Sequence, residues 1–313
     1  MIKVLYQNKN IFNYVNLTEY HNQNYTGKGV KVCILESDTD HRNTVAKSLS
    51  QSAPDCEIIY VNLSSIENTY QKIIDSKANI VTCSNGKIAG NLITLEQSLD
   101  LINRNILLLC AVGNDDSSGV VKLAKDENWI SVGAVTLDNY NKPRLAEYSS
   151  IGEEIDIVGF IPYVQGGYVY QPIGTSFASP FVAGMCACFY QAFKELYNRL
   201  PIYQEIFNLL TTNVEDMLDI GKDIKTGYGL FKLPKVDNIE LFIKEVNLLE
   251  RIIKMDTISK IDSNDRTLIP LRFFAEALGC EVGWNNETKT VTINQNNKII
   301  EHVIGTDIIY IKE

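Results

Sequence analysis

The chain has 313 residues, 45% hydrophobic and 21% charged, a globular composition long enough for one large and one small core. Lys and Arg number 29 against 38 Asp and Glu, a net charge of −9, so no basic field is available to displace phosphate counterions and no nucleic-acid partner is expected. With only His21, His41 and His302 as imidazoles, a histidine-rich metal centre is excluded, and neither a metal nor a cofactor is expected.

From Gly29 to about Ile157, short apolar runs of β type alternate with helical patterns. The predicted strands are Val30–Leu35, Ile58–Leu63, Asn79–Cys83, Ile106–Val112 and Ile130–Val135, and the predicted helices between them are Thr44–Ser52, Ile66–Ser76 and Thr94–Asn103. Apolar strands separated by helices give an α/β fold, a parallel sheet covered by helices on both faces. Further on, Gly174-Thr175-Ser176 opens a helix that is apolar on nearly every side through Phe193, with Pro180 suited to its first turn. Leu233-Pro234-Lys235 marks the domain boundary, giving domains 1–234 and 235–313. The second is expected to be a small α+β domain, with β-type runs at Ile239–Val246, Val291–Ile293 and Ile308–Ile311. Its one short helix lies between Pro270 and Gly279, and Gly283–Glu287 reads as a turn feeding a strand.

Seven cysteines include no Cys-x-x-Cys, and most sit in apolar runs, which predicts buried thiols in a reducing compartment. No signal-like apolar region opens the chain and no run has membrane length, so a cytoplasmic location without a membrane span is expected unless a leader has been removed. The stretch before Gly27 is expected to be too short to fold as a domain of its own.

In an open α/β sheet, ligands bind beyond the carboxyl ends of the strands. The residues there are Glu36-Ser37-Asp38-Thr39-Asp40-His41, Ser84-Asn85-Gly86 and Gly113-Asn114-Asp115-Asp116. A serine hydroxyl becomes a nucleophile when a base takes its proton, an acid orients that base, and donors face the developing oxyanion. The chain supplies these parts in the order acid, His41, Asn114, Ser176; the G-x-S-x-G elbow fails because Ala178 stands two residues after Ser176.

Gly174-Thr175-Ser176-Phe177-Ala178-Ser179-Pro180-Phe181-Val182-Ala183-Gly184 resembles the subtilase serine motif G-T-S-x-A-x-P-x-V-A-G. Val132–Val135, Tyr148-Ser149-Ser150 and Ala111–Asn114 resemble the family's V-G-A-V, F-S-S and A-A-G-N segments. The resemblance implies a subtilisin-like fold and a serine endopeptidase acting on peptides or proteins, with Ser176 as nucleophile, His41 as base and Asn114 in the oxyanion hole. It also implies that Ser84-Asn85-Gly86 forms an edge to which substrate backbone adds. Glu36-Ser37-Asp38 stands where the family has D-[ST]-G, and His41–Ala46 resembles H-G-T-H-V-A without its glycine and second histidine. Five residue steps span at most roughly 17 Å, so Glu36 or Asp38 can serve as the orienting acid. These departures leave an alternative, a pseudoprotease that binds a peptide or partner without cutting it. Arg266–Gly279, Val282-Gly283-Trp284 and Lys289–Ile293 resemble the domain named after the copper amine oxidase N-terminus, which implies an accessory role in partner or surface tethering. His302 and Cys280 are too few for a copper site there.

Overall fold

A computed structural model of the chain describes residues 4–64, 68–115, 119–218, 220–239, 260–261, 267–268, 281–295, 298–303 and 309–312. The chain divides into two compact units, Met1–Ile239 and Glu240–Glu313. Residues just past Pro234 still pack on the first unit, where the Val236 N–H donates to Glu19 Oε1 at 2.9 Å and Ile239 is buried.

In the first unit α1 (Lys9–Tyr14) and α2 (Leu17–Asn22) precede β1 (Lys31–Glu36), α3 (Thr39–Ser52), β2 (Glu57–Asn62) and α4 (Thr69–Ser76). Next come β3 (Ile80–Cys83), α5 (Gly86–Ala89), α6 (Leu95–Asn103), β4 (Leu107–Ala111), β5 (Ile130–Leu137) and β6 (Pro143–Leu145). The unit continues with β7 (Ile157–Phe160), β8 (Val164–Gln165), β9 (Val169–Tyr170), α7 (Ala178–Tyr197), α8 (Tyr203–Thr212), β10 (Val214–Glu215) and β11 (Leu230–Phe231).

The main sheet runs β10-β11-β7-β5-β4-β3-β1-β2, with β6 antiparallel on β5 and β10 antiparallel to β11; the other pairs are parallel. From β1 the chain steps outward to β2 and then returns to the far side of β1 as β3. That reversal opens a crevice at the carboxyl ends of β1 and β3.

The central strands β1, β3, β4, β5 and β7 are mostly apolar because both faces are covered, whereas the edge strand β2 is largely half-buried or exposed. Cys33, Leu35, Val81, Cys83, Leu108 and Cys110 pack on one face with Ile73 of α4, Leu101 of α6 and Trp129. Alternate residues face the other side, where Thr82 Oγ1 lies 3.0 Å from Ser179 Oγ of α7. Every residue of α7 from Ala178 to Phe193 is buried, as its all-round apolar sequence requires. Burial also pushes the Cys33 and Cys56 thiols up to about 12, so these are unreactive at neutral pH.

Helix α3 starts five residues before the expected Thr44, because Asp38 caps it: Asp38 Oδ1 accepts the His41 N–H at 2.7 Å. The start expected for α4, Ile66, lies outside the described residues, as do the predicted Pro270–Gly279 helix and all of the Ile239–Val246 run beyond Ile239. The N-terminal stretch does not stand apart: Ile11, Phe12, Val15, Leu17 and Tyr20 are buried. Asn8 fastens it by donating to Gln51 Oε1 and the Tyr163 carbonyl at 3.0 and 2.9 Å. His21 is structural, donating through Nε2 to the Ser52 carbonyl at 2.7 Å, and burial lowers its imidazole below the ordinary value. No helix among the described residues is long and apolar enough to cross a membrane.

Helices α3 and α7 meet closely at Gly184, where an added Cβ would lie 2.1 Å from Ser52 Oγ and 2.8 Å from the Leu49 carbonyl oxygen. Ser52 Oγ is held there by its bond to the Phe181 carbonyl at 2.8 Å. Gly184→Ala would gain roughly 1 kcal/mol of helix propensity but force the helices apart, an overpacking cost of about 1–3 kcal/mol. The net loss of up to about 2 kcal/mol is expected to lower the thermal midpoint by up to about 8 °C, read by circular dichroism; a raised midpoint would contradict this packing.

The C-terminal unit is all β among its described residues. Lys260–Ile261 (β12) pairs antiparallel with Thr267–Leu268 (β13). Glu281–Asn285 (β14), Thr290–Gln295 (β15), Lys298–Val303 (β16) and Ile309–Lys312 (β17) form an antiparallel meander. The segment Gly283–Asn285 is therefore strand, and the turn lies after it, where Asn285 Oδ1 accepts the Glu287 and Thr288 N–H groups at 2.9 and 3.1 Å.

Candidate active site

Glu36 is the last residue of β1 and is 1% exposed. The chain turns at Ser37 and enters α3, whose first turn carries His41. Both carboxylates thus have a partner in His41, but different ones: Asp38 takes its backbone N–H, whereas Glu36 Oε2 lies 2.7 Å from its ring Nδ1. The other Glu36 oxygen, Oε1, accepts the Ser37 N–H at 2.8 Å and Asn85 Nδ2 at 3.2 Å. Burial works to raise the Glu36 carboxyl, but the bonds from the His41 ring, Ser37 N–H and Asn85 together hold it below the usual range. An ionised carboxylate only accepts, so Nδ1 carries a proton, and in the neutral ring the lone pair is then on Nε2. The ring is tilted against Phe177, centroids 5.4 Å apart, and its side chain is 34% exposed.

Ser176 lies in the single 3₁₀ turn Thr175–Phe177 that leads into α7, and it is 8% exposed. Its carbonyl accepts Ser84 Oγ at 2.8 Å. Its own Oγ reaches the Ser84 carbonyl at 3.5 Å, a weak bond, and makes none to the His41 ring. Gly174 has φ +135°, and a Cβ there would sit 3.2 Å from Asn114 Nδ2, so this position calls for glycine. Its N–H is pinned by the Tyr148 hydroxyl at 3.0 Å.

Asn114 follows β4. Its Oδ1 accepts the Thr175 N–H at 2.8 Å and lies 3.0 Å from Thr175 Oγ1. Those contacts fix the amide, and Nδ2 has no partner among the described residues, leaving two N–H groups beside the serine turn. A cavity of about 420 Å³ adjoins Ser176, bounded by Asn85, Gly86, Gly113 and Asn114 with Lys87 and Lys122. Gly86 opens α5 rather than continuing an extended edge, and a Cβ there would meet Val121 Cγ2 at 2.5 Å. Among the described residues, no group of three His, Cys, Asp or Glu side chains could hold a metal ion.

Glu36, His41, Ser84, Asn85, Gly86, Asn114 and Ser176 are thus brought to one crevice, while Asp38 lies at its edge as a helix cap. The contact of Asn85 with Glu36 and that of Tyr148 with Gly174 carry no sequence signal, since each joins segments that only the topology makes neighbours.

The Subtilase family profile matches residues 43–229, starting just after His41, and the Copper amine oxidase N-terminal domain profile matches residues 249–313. The chain is 32% identical over 156 residues to the Thermophilic serine proteinase of Bacillus sp. (strain AK1), covering 45% of this chain and 38% of that protein. It is 25% identical over 236 residues to the Intracellular serine protease of Paenibacillus polymyxa, covering 69% of each. Among solved structures, a lanthipeptide protease superposes with TM-score 0.57 at 16% identity, covering 78% of this chain and 96% of that one. The prenylagaramide maturation protease PagA gives TM-score 0.58 at 20% identity, covering 72% and 98%. The parallel sheet is accordingly a subtilisin-like one. With a profile match that spans more than half its length, the chain belongs to the subtilase family.

Proposed function

We propose that the chain is a serine endopeptidase in which Ser176 is the nucleophile, His41 the base, Glu36 the orienting acid and Asn114 an oxyanion donor. The observation that carries this reading is the 2.7 Å contact of Glu36 Oε2 with His41 Nδ1, which in the neutral ring puts the lone pair on Nε2. Ser176 Oγ exchanges its long bond to the Ser84 carbonyl for one to Nε2, since catalytic hydrogen bonds often tighten only once substrate is bound. As Oγ attacks the peptide carbonyl, its proton passes to Nε2, and the carbonyl oxygen gains charge facing Asn114 Nδ2. Collapse breaks the C–N bond, and the amine departs with the proton from Nε2. Water then attacks the acyl-enzyme by the same route, releasing the acid and restoring Ser176.

The cavity beside Ser176 receives the side chain that precedes the cut bond. Among the described residues Lys87 and Lys122 line it against one carboxylate, Asp115, with Lys122 Nζ donating to Asn91 Oδ1 at 2.9 Å. Neither lysine has a carboxylate partner among the described residues, so an acidic side chain is the expected fit. A peptide library cut by the full chain tests both statements. Glu at that position is expected to be favoured over Lys by about fivefold, a surface-charge magnitude, and Lys87→Glu with Lys122→Glu to reverse the order. Cleavage that ignores this charge would remove the side-chain preference; no cleavage of any peptide would remove the peptidase reading.

Free thiols at Cys33, Cys56, Cys83, Cys110, Cys186 and Cys188 fit a reducing compartment, and the proposed location is the cytoplasm. For the C-terminal unit the proposed role is attachment to a partner or a surface.

A further inference from the structure

We propose that Asn85 is a positioning residue whose side-chain amide clamps Glu36, so that a glutamate can orient His41 where the family motif has the shorter aspartate. The inference rests on the reading of His41 as base. Glutamate has one more torsion than aspartate, and an unrestrained carboxylate would sample orientations that do not serve the ring. Here Glu36 Oε1 is held most closely by the Ser37 N–H at 2.8 Å and by Asn85 Nδ2 at 3.2 Å, with longer bonds from Ser37 Oγ at 3.4 Å and the Asp38 N–H at 3.5 Å. Among the described residues, Oε2 is left with one partner, His41 Nδ1 at 2.7 Å. The Asn85 amide is itself steadied, because the same Nδ2 also donates to Ser37 Oγ at 3.0 Å. Its assignment as nitrogen follows from chemistry: a carboxylate offers no proton, so the amide must donate.

Asn85 stands after β3 and Glu36 ends β1, so the bond ties the two lips of the switch-point crevice together. The other carboxylate at hand, Asp38, is occupied with the His41 N–H at 2.7 Å and does not compete for the amide.

Asn85 also borders the cavity, so a role in holding substrate is the rival explanation, and the test separates the two. In the full chain, Asn85→Leu keeps the size but removes the donor. It is expected to lower kcat on the order of 10- to 100-fold, as for loss of one bond to a charged group, with KM changed less than about twofold. The far-downfield proton signal of His41 Nδ1–H, seen by NMR in the wild type, is expected to broaden or vanish. The kcat loss should shrink at least severalfold in a Glu36→Asp background, because the shorter acid needs less restraint. Asn85→Ser, too short to reach Oε1, should behave as Asn85→Leu and serves if that variant does not fold. A raised KM with kcat and the proton signal intact would overturn the proposal, as would equal losses in both backgrounds. The proton signal needs no turnover. A wild type that cuts nothing would therefore sink the peptidase reading, while an unchanged signal in Asn85→Leu would sink the clamp.

Discussion

Ser176→Ala is expected to lower kcat on a cleavable peptide by about 10⁶-fold, the magnitude that removal of the serine carries in subtilisin itself. The neighbouring hydroxyls are engaged elsewhere. Ser84 Oγ is bonded to the Ser176 carbonyl at 2.8 Å, and Ser179 Oγ is buried against Thr82 at 3.0 Å. The fold should tolerate the change, because among the described residues the hydroxyl's one bond is the long one to the Ser84 carbonyl at 3.5 Å. The thermal midpoint is therefore expected within about 2 °C of wild type, since loss of a weak bond is worth well under 1 kcal/mol. Steady-state kinetics beside a melting curve checks both, and a variant that retains a tenth of the activity would take the nucleophile's role away from Ser176.

Glu36→Gln should reduce kcat by about 10³- to 10⁴-fold, and the reason is the tautomer. Four donors, the Ser37 N–H and Asn85 Nδ2 with Ser37 Oγ and the Asp38 N–H further off, point at the Oε1 position, so the glutamine carbonyl must settle there. Its NH₂ group is then turned toward His41 Nδ1, which must accept. Nε2 consequently carries the ring proton and cannot take one from Ser176. The substitution also has a stability signature. Because the folded protein holds the Glu36 carboxyl below its usual range, its ionised form contributes stability above the unfolded value, and that contribution is lost as the pH falls through the folded one. Melting curves across the acid range should show a decline in wild type that is smaller in the variant. A Glu36→Gln protein with near wild-type kcat would return the acid's role to Asp38 or remove it.

The strands β1, β3, β4 and β5 were legible in the sequence because burial on both faces leaves a nearly continuous apolar run, as in Val32-Cys33-Ile34-Leu35, and the more exposed edge strand β2 through Ile58, Ile59 and Val61. The serine turn was equally legible, since the strained Gly174 and the buried helix after it each demand particular residue types. The start of α3 was not, because His41-Arg42-Asn43 is polar and the apolar period begins only at Thr44. As a result Asp38 read as a candidate acid, when its geometry is that of a helix cap. Two-residue strands such as β8 to β11 are too short to show a period. The bond between Asn85 and Glu36 could not be read at all, for it joins segments 49 positions apart that only the step from β1 over to β3 makes neighbours.

One measurement bears most directly on whether the Glu36–His41 pair serves Ser176. Intact-mass analysis of the full chain after treatment with a fluorophosphonate, followed by peptide mapping, reads the reactivity of that one hydroxyl. The expected result is a single phosphonyl adduct on Ser176 with loss of fluoride, absent in Ser176→Ala and strongly slowed in His41→Ala. A folded wild-type chain that takes up no adduct would contradict the peptidase assignment and favour a protein that binds peptides without cutting them.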